Sequence, residues 1–229
     1  MSHPLDNPVW HALTGPHAQH AIGVGLARHY RRAMTPFSGI ATETPAAYTD
    51  LSTNLPPNTE ARLFSIADKP PPDGWTAIDA FPMLQMVAKV SAKPVSDLAP
   101  TILNAGDIEA MVELVALAKP GPFGARTPEL GVYLGVREHG RLVAMAGERM
   151  HVSGHVELST ICTHPDVRGR GLAAQLMLQL MRHAWDRGEI PFLHVRSENE
   201  AAVSLYQRLG FEVRREMWVL WRKPLAKTT

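Results

Sequence analysis

Cysteine is almost missing from this sequence: Cys162 is the only one in 229 residues. That excludes an intramolecular disulfide framework and fits a reducing compartment. An excess of one charge is missing too. Lys and Arg number 23 against 22 Asp and Glu, a formal net charge of +1, so the composition gives no support for a nucleic-acid or anionic-membrane partner. No apolar run approaches the roughly 18 residues needed to cross a bilayer. The stretch from Met1 to His20 lacks the basic region and apolar segment of a signal peptide. There is no repeat of fixed period and no low-complexity tract. These absences leave a cytoplasmic protein as the expectation, with no nucleic acid and no membrane among its partners.

What is present is ordinary for a soluble globular chain: 45% hydrophobic and 20% charged residues, enough for one large domain or two small ones. The Pro-rich stretch from Ser91 to Pro100 has no clear period, and it divides the chain into regions 1–95 and 96–229. In the first region, residues 17–33 read as a helix weakened by Gly23 and Gly25. Thr44 caps a second helical run, and residues 60–67 and 75–88 read as strands.

The second region is clearer. Ile108, Met111, Val112 and Val115 recur at helical spacing behind Asp107, and Pro120 stops the run. A hairpin turns at His139-Gly140, followed by a strand over 155–163. A helix fills Gly171 to Arg187, with Gly188 ending it. A further strand, a helix capped by Asn199 and ended at Gly210, and two short strands complete the chain. This order predicts an α/β fold of the α+β kind, a mixed and mostly antiparallel sheet with helices packed on it.

One stretch asks for a chemical explanation: Arg168-Gly169-Arg170-Gly171, placed where a helix begins. Gln175, Gln179, Arg182, His183, Asp186 and Arg187 fall within roughly 140° of the helical wheel, so the remaining face is buried and the helix start is fixed. A fixed helix start exposes unpaired N–H groups and a partial positive charge. Glycines let a ligand approach the backbone, and arginines add bidentate donors. The stretch suits a phosphate or pyrophosphate. Neither nucleotide fingerprint is complete: position 174 is Ala, Asp186 lies inside the same helix, and the Gly-Lys-Ser/Thr ending is absent.

Arg168-Gly169-Arg170-Gly171-Leu172-Ala173 resembles the acyl-CoA pyrophosphate loop, Arg/Gln-x-x-Gly-x-Gly/Ala, of the GNAT superfamily of N-acetyltransferases. A second signature follows in the right order, read in Asn199, Ala202, Leu205, Tyr206, Gly210 and Phe211. The resemblance covers roughly Thr101 to Pro224. Residues 1–95 fall outside it, as either a degenerate acetyltransferase half or an extension that shapes the substrate side.

The resemblance implies a direct acetyl transfer from acetyl-CoA, as co-substrate, to a primary amine on a small molecule or peptide. The backbone from Arg168 through Gly169, Arg170, Gly171 and Leu172 to Ala173 would bind the pyrophosphate. Ile161, Cys162 and Thr163 would pair with the pantetheine arm, and Asn199 would touch the CoA chain. Tyr206 would protonate the leaving thiolate. Glu157, sharing a strand face with Ser159, Ile161 and Thr163, would be the base, with Glu148 or water as alternatives. Phe123 and Arg126, in the loop after the first helix of this region, are candidates for substrate contact. Exposed sheet edges in the family often pair into homodimers.

Other readings stand beside these. Tyr206 shares helical spacing with Ala202, Leu205 and Leu209, as a core aromatic would. No His–acid pair is readable beside Cys162, which suits a small strand residue. His11, His17, His20 and His29 lack zinc-ligand spacing, so no metal is expected. The alternative function is a non-catalytic acyl-CoA-binding or sensing module with the same fold.

Overall fold

The computed structural model describes residues 3–89, 96 and 98–225. Among these the chain forms, in order, α1 (Pro8–Leu13), β1 (Ala21–Ile22), β2 (Ala27–Tyr30), β3 (Ser38–Ile40), α2 (Pro45–Asn54), β4 (Ala61–Ser65) and β5 (Trp75–Ala88). Then come β6 (Thr101–Ile102), α3 (Ile108–Ala118), β7 (Tyr133–Glu138), β8 (Arg141–Val152), β9 (His155–Thr163), α4 (Leu172–Asp186), β10 (Ile190–Arg196), α5 (Glu200–Arg208) and β11 (Phe211–Pro224). A small sheet has the order β1-β2-β3, and the large one runs β4-β11-β5-β10-β9-β8-β7-β6. All pairs in the large sheet are antiparallel except β9 with β10. The architecture is thus the mixed, mostly antiparallel sheet with flanking helices.

β5 lies between β10 and β11, pairing with both. The two sides of the sequence-predicted border therefore share one sheet. The border itself falls largely on residues 90–95, outside the described residues. Beyond it, Ser96 donates to Gln175 Oε1 at 2.6 Å, and Gln179 donates to the Leu98 carbonyl at 2.8 Å, so part of the polar arc of α4 is covered by this segment.

Strand alternation assigns the two faces. Leu134, Ala144 and Ala146 pack with Leu176, Met177, Leu180 and Met181 of α4. Their neighbours Tyr133 and Met145 point the other way, onto Met111 and Leu114 of α3. Beside α3, the N-terminal elements cover the rest of that second face, with Leu5, Val9 and Leu13 against Met150, Phe192, Met217 and Val219. Each such fully buried side chain contributes about 1.5–3 kcal/mol of transfer free energy.

Two expectations change. Residues 17–33 form no α-helix; after one short 3-10 turn at Ala18–His20 they carry β1 and β2, because Gly23 at φ 110° and Gly25 at φ 67° turn the chain between them. The last two short strands are one, β11, bent by an irregularity between Val213 and Arg215. The hairpin turn at His139-Gly140 is present, both residues taking positive φ, as its tight geometry requires. No helix among the described residues is long and apolar enough to cross a membrane.

Candidate active site

β9 and β10 pair for only three positions, from Ile190 with His155 to Phe192 with Glu157. Beyond that point they part. β10 stays bonded to β5 on its far side, while β9 stays with β8, so the gap between them is lined by backbone without strand partners. The parting coincides with a bulge. Cys162 faces Met145 and Ser159 faces Gly147, leaving one extra residue in β9, and Thr160 takes φ 54°. Strict alternation therefore fails here: Leu158, Ser159, Thr160 and Ile161 all line the same cavity.

That cavity, about 610 Å³, passes through the gap. Asn199, Ala202 and Tyr206 of α5 border it on one side of the sheet, Phe64, Phe81 and Val219 on the other. The Tyr206 phenol finds no hydrogen-bond partner among the described residues, and burial pushes its pKa up to about 12. It is protonated at neutral pH. Asn199 Oδ1 accepts from the Ala202 N–H at 3.2 Å, which fixes the start of α5 and leaves the Asn199 amide N–H groups uncommitted.

At the head of α4, Gly169 and Gly171 take φ 79° and 76°, with open space where a Cβ would stand. The first backbone bond into the helix runs from Gln175 N–H to the Gly171 carbonyl. The N–H groups of Gly169 to Ala174 find no acceptor among the described residues. They form a bare donor cluster at the positive end of a long helix. Arg170 is held by Glu138, at 2.6 and 3.0 Å, while Arg168 is exposed and makes no side-chain bond among the described residues.

The carboxylates are less free than alternation implies. Glu157 sits beneath the cavity wall, fully buried. Its Oε2 accepts from Arg149 Nε at 2.8 Å, and its Oε1 from a second Arg149 nitrogen at 2.7 Å and from His194 Nδ1 at 2.8 Å. Burial alone would raise its pKa; the Arg149 charge and these hydrogen bonds prevail and hold it at about 2. Gln85 completes the network, its amide N–H groups reaching His194 Nε2 and the Leu5 carbonyl. Glu148 is buried against Arg187, His151 and the Val132 N–H. Burial works against the His151 charge, but Glu148 and Glu189 raise its pKa to about 9.

Ile161 lines the cavity, whereas the Cys162 side chain turns into the α3 cluster, where burial pushes its thiol up to about 12 and leaves it inert. Thr163 ends β9 opposite Ala144. Phe123 packs edge-on against Tyr133, and Arg126 pairs with Glu129 at 2.5 Å; neither reaches the cavity wall. The loop before them does, through Lys119 to Pro122. Sequence reasoning missed the opposite wall. Phe37, Arg62, Phe64, Asp79 and Phe81 all come from the region before residue 95, and only strand register brings them to the gap. Among the described residues, no group of three or more His, Cys, Asp or Glu is placed to hold a metal ion.

Comparison with known proteins bears on this geometry. The FR47-like protein family matches residues 133–219. A crystal structure described as a GNAT-family acetyltransferase, from Novosphingobium aromaticivorans, is 37% identical, covers 97% of this chain and 99% of its own, and superposes with a TM-score of 0.90. N-alpha-acetyltransferase RimI of Mycobacterium tuberculosis is 37% identical over 83 residues, 35% of this chain and 51% of that protein. A mycothiol acetyltransferase of Saccharopolyspora erythraea is 33% identical over 82 residues, 35% of this chain and 27% of that protein. The chain thus spans about half or less of the curated relatives it matches.

Proposed function

This chain belongs to the GNAT family of acetyltransferases, and from that membership we propose that it transfers an acetyl group from acetyl-CoA to a primary amine, by direct attack in a ternary complex. The observation that carries the reading is the parting of β9 and β10 at a cavity lined from both faces of the sheet, with a bare donor cluster at the head of α4. The glycine turn fits a pyrophosphate: it presents N–H groups and no side-chain bulk where the ligand must approach.

In this reading the backbone from Arg168 to Ala173 holds the pyrophosphate. The free edge of β9 at Ile161, Cys162 and Thr163 pairs with the pantetheine arm as a strand would. A backbone N–H at the Thr160 bulge polarises the acetyl carbonyl, and the Asn199 amide touches the CoA chain. The amine nitrogen attacks the carbonyl carbon, the carbon–sulfur bond breaks, and Tyr206 gives its phenolic proton to the departing thiolate. The proton lost by the amine passes through cavity water to solvent, and Tyr206 recovers its own proton from solvent before the next turnover. Glu157, held ionised by Arg149, positions that arginine and His194 at the cavity floor instead of taking the proton itself.

Enclosure of Glu157 also favours a second reading, a module that binds acyl-CoA without turnover. Thermal unfolding with and without acetyl-CoA, with NAD and ATP as controls, tests the donor. At a ligand concentration of about 100 times Kd the stabilisation is about 2.7 kcal/mol, on the order of 5–10 °C for this size. No shift at millimolar acetyl-CoA sinks both readings. Tyr206→Phe separates them: the enzyme keeps the shift and loses turnover of an amine panel, whereas the module shows no turnover in either form.

A further inference from the structure

The cavity wall opposite the acetyl position carries an arginine whose side chain makes no hydrogen bond or ion pair among the described residues. Arg62 of β4 lies with its guanidinium 4.0 Å over the Trp221 ring. Its Nε is buried without a hydrogen-bond partner, and no ion pair reaches it among the described residues. Nearby Glu60 accepts from Trp221 Nε1 at 2.7 Å through Oε2, and its charge reaches Arg62 without a direct bond. Buried polar atoms such as this Nε are normally satisfied, and the Arg62 side chain that carries it is half-buried. A half-buried guanidinium with an unsatisfied Nε on a cavity wall suits a group that arrives from outside.

Register fixes what surrounds it. Trp221 faces Arg62 on one side and Asp79 on the other, so Arg62, Trp221 and Asp79 form one row across three strands. Phe64, Val219 and Phe81 form the next row towards the gap. A second guanidinium, Arg196, stands over the Phe81 ring at 3.9 Å from its centre. Arg196 also donates to Glu198 at 3.3 Å, whereas Arg62 over Trp221 keeps its in-plane donors free for a bidentate carboxylate. Arg149 is neutralised by Glu157 and Arg196 is paired with Glu198, leaving Arg62 and Lys119 on the wall against the single carboxylate of Asp79. The wall is net positive, with an apolar platform between its cations and the gap.

We propose that this wall selects an acceptor amine that carries a carboxylate at the far end of an apolar spacer, the carboxylate docking on Arg62 and the spacer lying on Phe64, Val219 and Phe81. The inference rests on the acetyltransferase reading for the place of the amine. From β4 to β9 is four strand spacings, roughly 19 Å between backbones, shortened from both ends by the Arg62 side chain and the acetyl group. Amine and carboxylate on one carbon are too close together to use both ends.

The test is a calorimetric titration of the CoA-loaded protein with ω-aminohexanoate and ω-aminooctanoate, against hexylamine, octylamine, the two methyl esters and glycine. The carboxylates are expected to bind roughly tenfold or more tighter than their esters and alkylamines, with no such advantage for glycine. In Arg62→Met that preference collapses, and Arg62→Lys, which keeps a charge over Trp221, restores part of it. Equal or tighter binding of the esters, survival of the preference in Arg62→Met, or no binding of either long carboxylate overturns the proposal. If Arg62→Met does not fold, the Arg62→Gln variant is read in the same way. Loss of the acetyl-CoA thermal shift would sink the donor reading instead, and repeating the titration without CoA still reads the carboxylate preference by itself.

Discussion

Glu157 illustrates how a residue's role depends on partners that its own position does not reveal. Both its oxygens are spent on Arg149 and His194, and its pKa falls to about 2 from an ordinary carboxylate value of 4.5. A depressed folded pKa gives stability that is complete above the unfolded value and is lost as pH falls through the folded one. Glu157 therefore contributes on the order of 3 kcal/mol at neutral pH, and this disappears between about pH 4.5 and 2. Glu157→Gln should lower the unfolding midpoint at pH 7, by leaving Arg149 buried without a counter-charge, and should flatten the decline below pH 4.5. A variant as stable as the parent at pH 7, with the same acid limb, would mean that the ion pair contributes nothing. The identity of a carboxylate near the gap was legible in the sequence. Its capture by Arg149 was not, because the bulges in β8 and β9 move residues between faces, and period-two reasoning has no term for an inserted residue.

At the scale of elements, the head of α4 was legible because its physics is local. Apolar residues at helical spacing fix the helix against the sheet, and glycines at its start take the left-handed conformation that other residues avoid. Gly171→Val should cost about 1–2 kcal/mol of stability from backbone strain, a modest fall in midpoint. Its larger effect should be on the ligand: a branched side chain now stands in the open space beside the bare N–H groups. The acetyl-CoA shift should shrink by more than half while the protein still unfolds cooperatively. An undiminished shift in Gly171→Val would remove the turn from the binding site. Residues 17–33 went the other way. Their apolar spacing suggested a helix, and Gly23 and Gly25 decided for two strands, because each lets the chain turn where a helix must continue.

At the scale of the whole molecule, the sequence pattern separates two regions that the sheet joins. β5 was readable as a strand, but not its place, since strand order is set by long-range pairing that no local pattern encodes. In the large sheet, β11 pairs only with β4 and β5, both from the first region, and β5 also carries the edge of β10 that faces away from the gap. Without residues 3–89, β11 has no partner strand, and the apolar faces of Phe192, Met217 and Val219 lose the cover of Leu5, Val9 and Leu13. A fragment beginning at residue 96 should therefore show no cooperative unfolding transition and bind no acetyl-CoA, although it contains the whole glycine turn and Tyr206. Supplying residues 1–95 as a separate chain should restore both properties, because the pairing of β5 with β10 and β11 needs no covalent link between residues 89 and 96. If the fragment alone melts cooperatively and gives the acetyl-CoA shift, the first region is a separable domain and its strand is dispensable to the core. If it does so only with its partner present, the cavity is a joint product: the second region supplies the gap and the turn, and the first supplies the wall from which Arg62 faces the acceptor.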